Sequence, residues 1–292
     1  MSFIRLESET PYEEAVSDVP KDELIEIEGQ SVYVKDIGKG PVIVMLHGFA
    51  SSSYSFRELF DSLSACFRLL AIDLNGFGLT QRPRKSKAYL IENQADLIVE
   101  ILKRKGIAGV VMLGHSYGAA VSAVLAARHP DLVKRVILVS PPSEFAGKPP
   151  WYVRNGLGIR VAFFLIRALL SNPEKFRKLS SKAFYGEGVI TLEVSEVYRR
   201  SMLIEGLRDA CFGYAKAFGG NGAASIRYDA ILQTTLIVVG EKDEVVSAES
   251  CAGVSDSISG SQLIVLPECG HCPPEERPVE LSRAISEFLT RN

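Results

Sequence analysis

Between residues 110 and 128 three local patterns follow one another without a break, and together they leave few folds open. Residues 110–113 are a short, wholly apolar run of strand length. Gly114-His115-Ser116-Tyr117-Gly118 comes next, and residues 119–128 then read as a helix that is small and apolar nearly all round. Such a helix has no solvent face and must be buried, and a continuously apolar strand is covered on both sides. A Gly-x-Ser-x-Gly turn between the two puts its serine on a tight bend, with glycine where the strand and helix backbones nearly touch. The plain alternative for Ser116 is an ordinary helix N-cap. The strand–turn–helix setting favours a nucleophile.

The alternation continues in both directions. Residues 24–28 and 31–36 read as short strands around Gly29-Gln30. Val42–Leu46 and residues 67–72, 135–139, 235–239 and 262–266 read as further strands. Residues 53–64, 88–104, 247–258 and 278–289 carry helical spacing. Strand and helix in turn imply an α/β fold, a mostly parallel sheet with helices on both faces and right-handed crossovers. From about Ser143 to Tyr228 the strands lapse and the text is helical, broken at Pro149-Pro150, Pro173 and Gly219-Gly220. The expected organisation is one core, residues 1–142 and 230–292, interrupted by a helical insertion over 143–229. Residues 1 to about 22, acidic and aperiodic, are expected to lie as an arm over the core.

Composition narrows the partners. With 33 basic against 35 acidic residues the net charge is −2, so no basic surplus draws nucleic acid. The opening residues lack a basic segment followed by an apolar run, and no stretch nears the roughly 18 apolar residues of a membrane span. The expected setting is cytoplasmic, with a small-molecule partner and no integral membrane segment. Five scattered cysteines do not make a disulfide framework. The pattern does not decide between monomer and homodimer.

A serine hydroxyl needs a base to take its proton and donors aimed at the oxygen that becomes negative. Four histidines are available. His115 occupies the variable position of the turn, His129 sits at a helix end, and His47 follows a strand, where it shapes the adjoining loop. His271, between the last strand and the last helix, is the base this reading selects. It follows the serine in the order Ser, acid, His. The acid belongs after a strand, where Glu241, Asp243 and Glu244 stand together. Asp243 is the choice, with Val245 and Val246 behind it to pin the turn, Glu144 in reserve, and Glu241 and Glu244 solvated.

These residues carry a resemblance. His47-Gly48-Phe49, Asp73-Leu74-Asn75-Gly76-Phe77-Gly78, Gly114 to Gly118, Gly240 to Asp243 and Gly270-His271 resemble the α/β-hydrolase superfamily with a helical cap. The likeness spans nearly everything after residue 22. It implies an oxyanion hole from the backbone N–H groups of Phe49 and Tyr117, and it implies no metal and no organic cofactor. Leu79-Thr80 stands where the family commonly has serine. Epoxide hydrolases and haloalkane dehalogenases of this fold attack with aspartate, which Ser116 replaces. The expected reaction is cleavage of a carboxylic ester through an acyl-enzyme. A carbon–carbon bond hydrolase, an amidase, a cofactor-free perhydrolase or a non-catalytic receptor of the same fold are the alternatives.

Weaker signals remain. Cys269 and Cys272 form a C-x-x-C pair around His271, but further zinc ligands and a thioredoxin-like context are absent. They read as two small residues beside the base. Trp151 and Tyr152, with the apolar run 161–166, are expected to line a pocket for an apolar substrate, together with His47 and Val246. Arg154, Arg160 and Arg167 read as a solvated face.

Overall fold

The computed structural model describes residues 6–143, 156–186, 188–219 and 226–290. In chain order they form a one-turn helix α1 (Tyr12–Ala15), strands β1 (Leu24–Ile27), β2 (Gln30–Ile37) and β3 (Val42–Leu46), helix α2 (Arg57–Ser64), and strand β4 (Arg68–Ile72). Helix α3 (Ile91–Arg104), strand β5 (Val110–His115), helix α4 (Tyr117–Arg128) and strand β6 (Val133–Val139) follow. Four helices then succeed one another without a strand: α5 (Gly156–Leu170), α6 (Pro173–Ser180), α7 (Leu192–Met202) and α8 (Leu207–Gly219). Strand β7 (Thr234–Gly240), helix α9 (Ala248–Ser257), strand β8 (Gln262–Leu266) and helices α10 (Pro273–Glu276) and α11 (Pro278–Thr290) close the chain.

The eight strands make one sheet in the order β1-β2-β4-β3-β5-β6-β7-β8. Only the β1–β2 and β2–β4 pairings are antiparallel. From β4 onward every pairing is parallel. The period-two alternation of side chains sorts the strands into two cores. Val44, Leu46, Met112, Leu138 and Ile237 face α3, α4 and α9, while Ile43, Met45, Leu113, Val139 and Val238 face α2 and α11. Central strands are covered on both faces, which is why β3 and residues 110–113 of β5 are continuously apolar in sequence.

One expectation is extended here and one changes. Tyr12 and Val16 of the N-terminal arm cluster with core residues Leu24 and Leu79, and the arm also reaches the segment between α7 and α8 at Ile204. Thr10 bridges to Ile204, its N–H donates to Leu203 O at 2.8 Å, and Glu9 Oε2 accepts from the N–H groups of Gly206 (3.0 Å) and Leu207 (3.3 Å) at the start of α8. Arg167 is not a solvated residue. Its guanidinium donates to Glu9 at 2.8 Å and to the Glu7 carbonyl, and only 14% of its side chain is exposed. The acidic arm and the basic helix neutralise each other. Arg160 is exposed as expected, and Arg154 lies outside the described residues.

No helix among the described residues is long and apolar enough to cross a membrane.

Candidate active site

Strand β5 and helix α4 meet at a bend so close that side chains are excluded from it. A Cβ on Gly114 would fall 2.3 Å from Gly118 O, and one on Gly118 would fall 2.1 Å from Leu46 O. Ser116, the N-cap of α4, sits between them at φ 50° and ψ −112°. That left-handed backbone costs a non-glycine residue about 1–3 kcal/mol and persists because the packed strand and helix dictate it. The bend presents the hydroxyl at the carboxyl edge of the parallel strands, where ligands of open α/β sheets gather.

Strands β7 and β8 deliver two more groups to the same edge. Asp243 lies in the turn after β7, and His271 in the loop after β8. His271 Nδ1 lies 2.9 Å from Asp243 Oδ2 and 3.1 Å from Oδ1, and His271 Nε2 lies 3.0 Å from Ser116 Oγ. Because a carboxylate only accepts, Nδ1 carries the proton and Nε2 is free to accept from the serine. Burial raises the Asp243 carboxyl, but the hydrogen bond and charge of His271, the Val246 N–H and Ser140 outweigh it and hold the pKa below the ordinary aspartate value. Asp243 is therefore ionised near neutral pH.

The turn is pinned differently from the way its sequence suggests. Val245 and Val246 both donate their N–H to Asp243 Oδ1, at 2.9 and 2.8 Å. The Val245 side chain is exposed, so its backbone does the pinning. Val246 is buried beside the carboxylate. Glu241 and Glu244 are exposed, and Glu144 lies outside the described residues.

Two of the remaining histidines take structural places around this site. His47 is fully buried, which removes it from the lining of any pocket. Its Nδ1–H donates to Gly48 O at 2.7 Å and its Nε2 accepts from Leu74 N–H at 3.0 Å, so both nitrogens serve the two loops they join. His115 is also buried, and its Nε2–H donates to the carbonyl of His271 at 2.6 Å. The variable position of the bend thus holds the main chain of His271. The sequence carried one clue to this, a polar residue at the end of a strand otherwise buried on both faces.

Burial, reinforced by the charge of neighbouring His271, pushes His115 down to about 3. Its unfolded value is about 6.5. Across that window the unfolded chain binds a proton that the folded chain does not, so stability rises with pH and falls on acidification. The slope from this one residue is up to about 1.4 kcal/mol per pH unit. His115→Gln, which keeps a donor for the carbonyl, is expected to remove ~2 kcal/mol of the stability difference between pH 7 and pH 5. Urea unfolding at both pH values measures it, and an unchanged difference contradicts a neutral buried imidazole.

The loop after β3 lies against the serine. A Cβ on Gly48 would fall 3.4 Å from Ser116 Cβ and 3.1 Å from His115 Nδ1. Phe49 follows, and Tyr117 opens α4, where first-turn N–H groups have no intrahelical acceptor. The Phe49 ring is half-exposed and packs on Phe77, Tyr214 and Phe218 at centroid distances of 5.0, 5.1 and 5.6 Å. Tyr214 and Phe218 come from α8, so that helix is seated on this loop. The Asp73 carboxylate braces the loop from below by accepting from Ser53 N–H (2.6 Å) and Leu79 N–H (2.7 Å). Trp151 and Tyr152 lie outside the described residues.

A cavity of 650 Å³ between the arm, α7 and the core is lined by Thr10, Tyr33, Asp73, Val197 and Ile204, and by no member of the trio. Cys269 and Cys272 are buried, and burial pushes both thiols up, Cys269 to about 12, which keeps them protonated and unreactive. Among the described residues no cluster of His, Cys, Asp or Glu is arranged to hold a metal ion.

Residues 41–278 match the model of the alpha/beta hydrolase fold family. The chain belongs to that family. It is similar to the uncharacterized hydrolase YugF of Bacillus subtilis, 26% identical over 281 residues that cover 94% of this chain and 99% of that protein. It is similar as well to epoxide hydrolase 3 of Xenopus tropicalis, 24% identical over 86% of this chain and 72% of that one. A third relative is the pimeloyl-[acyl-carrier protein] methyl ester esterase of Nitrosospira multiformis, 27% identical over 88% of this chain and 98% of that one. The names span more than one reaction, so the family defines a hydrolase and leaves the bond it cleaves to the site.

Proposed function

We propose that the chain is a serine hydrolase that cleaves a carboxylic ester of a small, largely apolar substrate through an acyl-enzyme. The observation that carries this reading is the unbroken line from Asp243 to His271 to Ser116, with links of 2.9 and 3.0 Å. Ser116 Oγ attacks the ester carbonyl as its proton passes to His271 Nε2. Asp243 holds the ring in the accepting tautomer and stabilises the imidazolium. The backbone N–H groups of Phe49 and Tyr117 receive the oxyanion, reinforced by the N-terminal end of α4. The imidazolium then protonates the leaving alkoxide as the C–O bond breaks. Water attacks the acyl-enzyme, gives its proton to the same nitrogen, and the acid departs as the proton returns to Ser116.

The half-exposed Phe49 ring, on the loop beside the nucleophile, supports an apolar substrate. We read residues 143–229 as a cap over the serine, because Tyr214 and Phe218 pack on that same loop. A cytoplasmic setting agrees with five cysteines that are all unpaired.

The test is a panel of p-nitrophenyl esters of increasing acyl length beside a vinylogous diketone. Ester hydrolysis with a pre-steady-state burst of one p-nitrophenol per chain is expected, with the highest kcat/KM on a short or medium acyl group. Turnover of the diketone with inert esters overturns the ester assignment in favour of carbon–carbon cleavage.

A further inference from the structure

His271 is followed at short range by two adjacent carboxylates on the one-turn helix α10, and they are engaged differently. Glu275 Oε1 accepts from Arg57 at 2.6 Å and from the Tyr198 hydroxyl at 2.9 Å, a buried tie between α2 and α7. Glu276 instead faces the main chain of the His271 loop. Its Oε2 accepts from Gly270 N–H at 2.9 Å and its Oε1 from Cys272 N–H at 2.8 Å, so one carboxylate grips the residues on either side of the imidazole-bearing residue. The same Oε2 accepts a third N–H, that of Tyr185 in the insertion, at 2.7 Å.

The insertion reaches His271 itself as well. The His271 N–H donates to Ala183 O at 2.9 Å, and a Cβ on Gly270 would fall 2.6 Å from Tyr185 N. Residues 183–185 and 270–272 therefore lie backbone to backbone, with the Glu276 carboxylate shared between them. Three N–H donors converging on one acceptor-only group suit a carboxylate and no other side chain of this length. A glutamine has one acceptor oxygen, and its NH₂ would turn a donor toward a donor.

We propose that Glu276 is a positioning residue that sets the register of His271 against Ser116 and makes that register depend on the seating of residues 183–185. The inference rests on the reading of Ser116, Asp243 and His271 as a working triad. Glu276 touches no reacting atom in this arrangement. It acts through the loop main chain, where a displacement of about 1 Å at a base is enough to cost on the order of 10²-fold in rate.

The experiment compares the full-length wild type with Glu276→Gln and Glu275→Gln. The readouts are the second-order rate of phosphonylation of Ser116 by a small alkyl fluorophosphonate, and kcat and KM on the best ester of the panel. Phosphonylation forms the Oγ–P bond and expels fluoride, while His271 takes the serine proton, so it reports the Ser116–His271 register without a demand on the substrate pocket. For Glu276→Gln the phosphonylation rate and kcat are expected to fall together by roughly 10- to 100-fold, with KM within about 3-fold. Glu275→Gln is expected to lower Tm while its phosphonylation rate stays within about 3-fold of wild type.

Wild-type phosphonylation by Glu276→Gln overturns the proposal, as does an equal loss in both variants, which would reveal a shared structural role. If Glu276→Gln does not fold, Glu276→Asp carries the test. It keeps the charge but is one methylene too short to span all three donors, so a loss of at least about 3-fold at unchanged KM is expected and a wild-type rate overturns the proposal. Failure of the triad reading shows separately, as absence of label on Ser116 in the wild type.

Discussion

Asparagine at position 243 is expected to lower kcat by about 10⁴-fold on any substrate that the serine attacks, with the fold retained. Asp243 accepts from His271 Nδ1 and from the Val245 and Val246 N–H groups at once, and only a carboxylate offers acceptors in all those directions. An asparagine oxygen turned to the two backbone donors keeps the loop closed but points its NH₂ at Nδ1. The ring must then accept there and carry its proton on Nε2, the atom that has to take the serine proton. The tautomer is wrong while the distances remain right. Steady-state kinetics with circular dichroism and a melting curve separate this outcome from unfolding. A kcat within 10-fold of wild type in a folded Asp243→Asn protein would remove Asp243 from the mechanism.

Much of the architecture was legible because its signals are local. Val42–Leu46 has the bounds its apolar run indicated, and β5, β6 and β7 extend their expected spans by two residues at most at either end. Buried parallel strands announce themselves by composition alone. The bend at Ser116 was legible for the same reason: a steric demand at Gly114 and Gly118 leaves glycine as the residue that fits. His271 and Asp243 emerged by elimination, with only four histidines in the chain and few carboxylates after a strand.

What escaped the sequence is long-range pairing of charges and main chain. Glu7, Glu9 and Arg167 look like surface residues in any local window, yet their partners lie about 160 residues apart. His115 reads as a free choice in its motif and is instead fixed by a carbonyl 156 residues away. His47 precedes the Gly48-Phe49 loop, and its burial with both nitrogens spent on the backbone gives it the loop-shaping place and not one in the pocket. Glu276 carries no local sequence signal, since its N–H partners lie in two separate loops. Its use becomes visible only when residues 183–185 are folded against it.

Ser116→Ala is the largest expected loss, and it is also the most direct test of the central claim that Ser116 is the nucleophile. The substitution removes one oxygen from a position whose backbone, at φ 50°, is already held by the strand and helix around it. The fold should survive, while kcat falls by about 10⁶-fold, since a base and an acid with no nucleophile retain little of a triad's effect. The decisive measurement is mass spectrometry of the chain after reaction with a fluorophosphonate. One adduct per wild-type chain, on the peptide carrying Ser116 and absent from folded Ser116→Ala, is the expected result. A stoichiometric adduct on another residue, or labelling that persists in Ser116→Ala, would contradict it.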